Sequence, residues 1–169
     1  MGVTGELTPT VVQVKTTRFP IFLIRASHYD DDGYVIRWKR SIIPSNTLAT
    51  LFGLVSDCAE RRVLGDHVAI ECHGLDESNT RIDVPEIVRE IRSAGCGLVG
   101  FVGVQSNQFP RVMDLAREFR EAGVSVSIGG FHISGCLAML PGIQPDIQEA
   151  LDIGVSLYAG EAEGRPGAG

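Results

Sequence analysis

At 169 residues, with 44% hydrophobic and 21% charged residues, the chain fits one globular α/β-sized domain able to bury a sizeable core. A net charge of -6 argues against nucleic-acid binding, for which a clustered basic surface is expected. No apolar run approaches the roughly 18 residues of a membrane span and no signal peptide opens the chain, so the expected compartment is the cytoplasm.

Residues 1–18 carry Thr, Gly and Pro with weak periodicity and read as an extended or frayed lead-in. Phe19 to Arg25 is a short apolar run suited to a buried first strand. Asp30-Asp31-Asp32-Gly33 is a turn signal, and Tyr34 to Trp38 alternates as a small hairpin or extended insertion. Pro44-Ser45-Asn46-Thr47 supplies an N-cap for a helix through Leu48, Leu51, Leu54, Val55 and Cys58. Asp66 to Cys72 is the second strand, and Asp83-Val84-Pro85-Glu86 opens a helix that Gly95 ends. Leu98 to Val104 is the third strand. Phe109-Pro110 leads a helix with Val112, Met113, Leu115, Ala116 and Phe119 on its apolar side, closed by Gly123. Val124 to Ile128 forms the fourth strand and passes into a loop, Gly129-Gly130-Phe131-His132. A short helix, Pro145 to Ile153, precedes a fifth strand at Val155 to Ala159, and residues 166–169 form a flexible tail.

Strands separated by helices of about 10 to 15 residues make βαβ units and a parallel sheet. Right-handed crossovers then favour a flavodoxin-like (Rossmann-type) doubly wound sheet of five strands in the order 2-1-3-4-5. The carboxyl ends of strands one, three, four and five share one edge. That edge collects Ser27 and His28, then Gln105, Ser106, Asn107 and Gln108, then Gly129, Gly130, Phe131 and His132, and finally Gly160 and Glu161. Glycines, amides and hydroxyls dominate. Such a lining hydrogen-bonds a ligand rich in amides but does little to neutralise a triphosphate. Paired glycines leave no side chain between backbone and ligand, so the crevice is expected to admit a large planar cofactor.

Nucleotide motifs are missing. Arg25-Ala26-Ser27-His28 offers no GxGxxG, no Gly-Lys-Ser/Thr stands after a strand, and Val104-Gln105-Ser106 lacks the aspartate of a receiver domain. The four cysteines, Cys58, Cys72, Cys96 and Cys136, lie 14, 24 and 40 positions apart, which matches neither a metal knuckle nor a disulfide framework. Two Cys–His proximities, Cys72 with His73 and His132 with Cys136, lack a second ligand pair, so no metal site is expected.

With Ser106, Gly129-Gly130 and Gly160-Glu161, residues 19–165 resemble the cobalamin-binding N-terminal domain of cobalamin-dependent radical S-adenosylmethionine enzymes. The Gly-Gly-Phe-His stretch is the most specific part of the likeness. The resemblance implies that Ser106 hydrogen-bonds near the dimethylbenzimidazole tail, that Gly129 and Gly130 give the tail room, and that Gly160 and Glu161 edge the pocket. The Asp-x-His-x-x-Gly motif that ligates cobalt is absent: His28 has Ala26 and Asp31 at the motif positions, and Gly130 precedes His132 where an aspartate is needed. The implied cobalamin is therefore base-off, with no histidine on cobalt. The cysteine triplet that would hold an iron–sulfur cluster, and the barrel that would use it with S-adenosylmethionine, are absent, so the chain is expected to be catalytically silent alone. A second reading is a protein-interaction or regulatory domain with Trp38, Ile42 and Ile43 as a docking patch. A third is a small enzyme in which Ser106, His132 and Cys136 are neighbours.

Overall fold

The computed structural model describes residues 16–38 and 45–160. Five parallel strands, β1 (Thr17–Arg25), β2 (Val68–Asp76), β3 (Leu98–Phe101), β4 (Ser125–Gly129) and β5 (Ser156–Tyr158), form one sheet in the order β2-β1-β3-β4-β5. Between them run α1 (Asn46–Glu60), α2 (Val84–Ala94), α3 (Phe109–Glu121), α4 (Phe131–Met139) and α5 (Pro145–Asp152). This is the doubly wound α/β order expected from the sequence. The chain moves one way from β1 to β2 and the other way through β3, β4 and β5. Right-handed crossovers therefore put α1 on one face and α2 to α5 on the opposite face.

The core lies between the sheet and that second helical layer. Phe22, Ile24, Val99, Phe101, Val126 and Ile128 project from the strands into a cluster with Ile87, Ile91, Val112, Leu115, Phe119 and Ile147. Phe101 and Phe119 meet with ring centroids 6.3 Å apart. Cβ atoms alternate between the faces of a strand, so the intervening residues serve the other face. There Gly74 makes room for Phe52 and Leu48 of α1. No residue of α1 is fully buried.

Local signals set the helix ends. Ser45 Oγ accepts from the Leu48 N–H at 3.2 Å, and Asp83 Oδ1 accepts from the Glu86 N–H at 2.9 Å. Gly95 ends α2 in the left-handed region (φ 82°) that a side chain would penalise. The Asp30 turn forms, with its carboxylate accepting from the Asp32 and Tyr34 N–H groups. The expected hairpin reduces to one antiparallel bridge, Tyr29 to Val35.

Three departures from the sequence reading exceed two residues. β2 runs on to Asp76, because its whole length pairs with β1 from Thr17 to Arg25. β3 stops at Phe101, and the chain turns away through Gly103 (φ 62°). Phe131 to Met139 is helix α4, where the sequence reading has a loop. This helix escapes detection because Gly130 gives it no side-chain cap and its apolar residues face all ways, leaving no 3.6-residue stripe. No described helix is long and apolar enough to cross a membrane.

The packing predicts unequal costs on the two faces. Phe119→Ala should destabilise the fold by about 3–5 kcal/mol, whereas Phe52→Ala on α1, already 40% exposed, should cost about 1 kcal/mol. Urea unfolding of the two variants checks the order.

Candidate functional site

All described rim residues lie along the carboxyl edge of the sheet, but they divide into two groups. Glu161 lies outside the described residues.

The first group surrounds the point between β1 and β3 where the strand order reverses, the usual ligand crevice of such folds. Here the protein fills the crevice with its own polar side chains. Gln108 is 7% exposed; its Nε2 donates to the Ala26 carbonyl at 2.7 Å, and its Oε1 accepts from the Gln105 N–H at 2.8 Å. Glu77, 2% exposed, accepts from the Ser27 N–H at 3.1 Å and from Arg111 Nη2 at 2.6 Å. Burial works against the Arg111 charge, but the Glu77 and Tyr29 hydrogen bonds outweigh it and keep the guanidinium protonated. Ser27 donates its hydroxyl to the Ile36 carbonyl, and the His28 carbonyl accepts from the Ile36 N–H. Ser27 and Gln108, both expected to touch a ligand, are thus committed to holding loops.

Neither Glu77 nor Arg111 stands out in the sequence. They are 34 positions apart, and no spacing rule joins a residue just past β2 to the first turn of α3. Beside them opens a cavity of about 380 Å³ lined by Arg37, Glu77, Arg81, Asp83 and Arg111 among others. A second cavity of about 450 Å³ lies under α1, against Phe52, Gly74 and Asp76.

The second group joins the loops after β3 and β4. Val104 N–H donates to the Gly129 carbonyl at 3.1 Å, and His132 N–H donates back to the Val104 carbonyl at 3.0 Å. Gly130, at φ 144°, lies so close that a Cβ there would sit 2.1 Å from the Val104 nitrogen. This corrects the expectation that Gly130 leaves space for a ligand: its missing side chain admits the chain's own backbone. At Gly129 an added Cβ would be in ordinary van der Waals contact with Tyr158 of β5, 3.4 Å away. Gly160 is different: among the described residues nothing lies within 4 Å of an added Cβ, and its N–H donates to Ser134 Oγ at 3.1 Å.

This backbone contact brings side chains together. His132 Nδ1 lies 3.1 Å from Ser106 Oγ, and its Nε2 lies 3.0 Å from Asp146 Oδ2. The imidazole packs against Phe109 with ring centroids 4.4 Å apart. Cys136 Sγ is 3.9 Å from His132 Nε2. Burial, and then the charge of Asp146, push the Cys136 thiol up, so it stays protonated at neutral pH. Asp146 was not singled out from the sequence, because α5 reads as an ordinary short helix with an acid in its first turn. Gln105, Ser106 and Asn107 are exposed, as is Phe131 at 66%. Around the rim, Leu137, Met139, Leu140 and Ile143 add exposed apolar surface. Among the described residues, no group of three or more His, Cys, Asp and Glu side chains is arranged to hold a metal ion.

Comparison with family models, with curated proteins and with solved structures returns no match for the chain.

Two outcomes follow. Gly130→Ala should destabilise the protein by about 3 kcal/mol or more, since it adds strain at a positive φ to a collision with backbone; Gly160→Ala, facing open space, should cost less in the same urea titration. Cys136 should react with iodoacetamide at pH 7.5 more slowly than a free model thiol, checked by mass spectrometry of timed samples.

Proposed function

We propose that this chain is a cobalamin-binding module of a larger radical S-adenosylmethionine methyltransferase-like enzyme. The observation that carries the reading is the rim of β3, β4 and β5. There Ser106, Gly129, Gly130 and Gly160 converge in a sheet of order 2-1-3-4-5, linked through His132 and Ser134.

The donor set suits the ligand. Cobalamin is a broad apolar macrocycle fringed with amides. The exposed Ser106 hydroxyl and the amides of Gln105 and Asn107 complement that fringe, while Phe131 and the exposed residues of α4 offer apolar surface to the ring. Among the described residues, Gly160 leaves open space beside the backbone. Gly130 contributes by seating the loops and makes no room itself. Both ring nitrogens of His132 are engaged, by Ser106 and Asp146, so the rim offers this imidazole to the rest of the protein and not to a metal. Bound cobalamin would supply transfer of a methyl group from cobalt; the residues of this chain would hold and orient it.

A second reading has its own observation. Phe131, Leu137, Met139, Leu140 and Ile143 form an apolar stretch on α4 and the turn after it, which suits a protein-interaction domain. Of the docking patch expected from the sequence, Trp38 is 66% exposed, and Ile42 and Ile43 lie outside the described residues.

Mixing the purified chain with hydroxocobalamin, followed by gel filtration, separates the two. Co-elution of corrin absorbance with protein is expected, together with its loss in Ser106→Trp, whose exposed position leaves the far-ultraviolet circular dichroism unchanged. Protein that elutes free of corrin while forming a stable oligomer would favour the interaction domain.

A further inference from the structure

Ser106, His132 and Asp146 form an unbroken hydrogen-bonded chain drawn from three separate elements. Ser106 belongs to the loop between β3 and α3, His132 to the first turn of α4, and Asp146 to the first turn of α5. The contacts measure 3.1 Å from Ser106 Oγ to His132 Nδ1 and 3.0 Å from His132 Nε2 to Asp146 Oδ2. A carboxylate only accepts, so Nε2 carries the imidazole proton and donates it to Asp146. That leaves the Nδ1 lone pair facing the serine hydroxyl, which is the state a general base requires. Three features hold the ring in place: the Asp146 contact, the Phe109 face, and a side chain only 12% exposed. Ser106 itself is exposed to incoming molecules.

Donors for a developing oxyanion are at hand. The Ser106 and Asn107 N–H groups have no partner among the described residues, and they lie just ahead of α3, at the positive end of its dipole. Cys136 is also near the imidazole, but its Sγ stands 4.0 Å from Nδ1, against 3.1 Å for Ser106 Oγ, so serine is the better placed nucleophile.

We propose that Ser106, His132 and Asp146 are a nucleophilic relay that accepts acyl groups from small, unhindered carboxylic esters. Ser106 Oγ attacks the ester carbonyl carbon and its proton passes to His132 Nδ1. The carbon–oxygen bond to the alcohol breaks, and the departing alkoxide takes that proton. Water then attacks the acyl-serine, giving a proton to His132, and the carboxylic acid leaves as the serine recovers its hydrogen. The only co-reactant is water. Small esters are the fitting class because the serine stands on an open rim and lines neither of the two cavities. Phe131, next in the chain to His132, offers an apolar surface for a short acyl group. Ser106 and His132 are the catalytic residues, and Asp146 is a positioning residue acting through the imidazole.

The assay uses the chain without cobalamin, so its outcome is separate from that of the cofactor reading. With 4-nitrophenyl acetate, the expected result is a burst of nitrophenolate and one added acetyl group located on Ser106. Ser106→Ala abolishes both, and His132→Gln lowers the acylation rate by about 10²-fold or more. Asp146→Asn, close in shape, slows acylation while leaving circular dichroism unchanged, and Asp146→Glu restores part of the rate. Wild-type turnover no faster than Ser106→Ala overturns the proposal, as does acetyl found on any residue other than Ser106.

Discussion

The carboxyl edge of this sheet is organised by one contact between backbones. Gly130 approaches Val104 more closely than any side chain would allow, and the hydrogen bonds on either side of it, Val104 to Gly129 and His132 to Val104, tie the loop after β3 to the start of α4. Three features of the β3–β5 rim follow. His132 is brought over Ser106, α4 is aimed along the edge, and Ser134 is set to receive the Gly160 N–H. A residue with a Cβ at position 130 would push these loops apart, and the side-chain constellation would go with them.

The same edge shows how a fold can close its usual ligand crevice and keep a rim open elsewhere. Between β1 and β3, buried Gln108 and the Glu77–Arg111 pair satisfy loop carbonyls and N–H groups that a ligand would otherwise meet. A buried pair of this kind adds little net stability compared with apolar packing, but losing one partner strands a charge. It fixes the loop after β1 against α3 and leaves the exposed polar groups concentrated between β3 and β5. Charge and apolar surface therefore separate along the edge: arginines gather near β1, and Phe131 with α4 marks the other end.

Much of the fold was legible in the sequence because strong local signals agreed with the hydrophobic pattern. Asp83 and Gly95 bracket α2, Pro110 and Gly123 bracket α3, and apolar strands alternate with these helices of 11 and 13 residues. α4 was not legible, since an uncapped helix with apolar residues all around leaves no periodicity to read. In the site, the strand order puts the described rim residues on a common edge, as the sequence implies, but the parts played by Ser27, Gln108 and Gly130 were not legible. Whether a glycine faces a ligand or another backbone depends on the path of a loop 26 residues away, as Gly130 and Val104 demonstrate. The partnership of His132 with Asp146 depends on where α5 docks, which no spacing rule encodes.

The most direct test of this account is amide hydrogen exchange followed residue by residue. If the loops are locked as described, the Val104 and His132 amides exchange as slowly as those of the central strands, while the Ser106 and Asn107 amides between them exchange freely. Val104 and His132 exchanging at the rate of Ser106 would contradict it, for the two loops would then not be joined in solution.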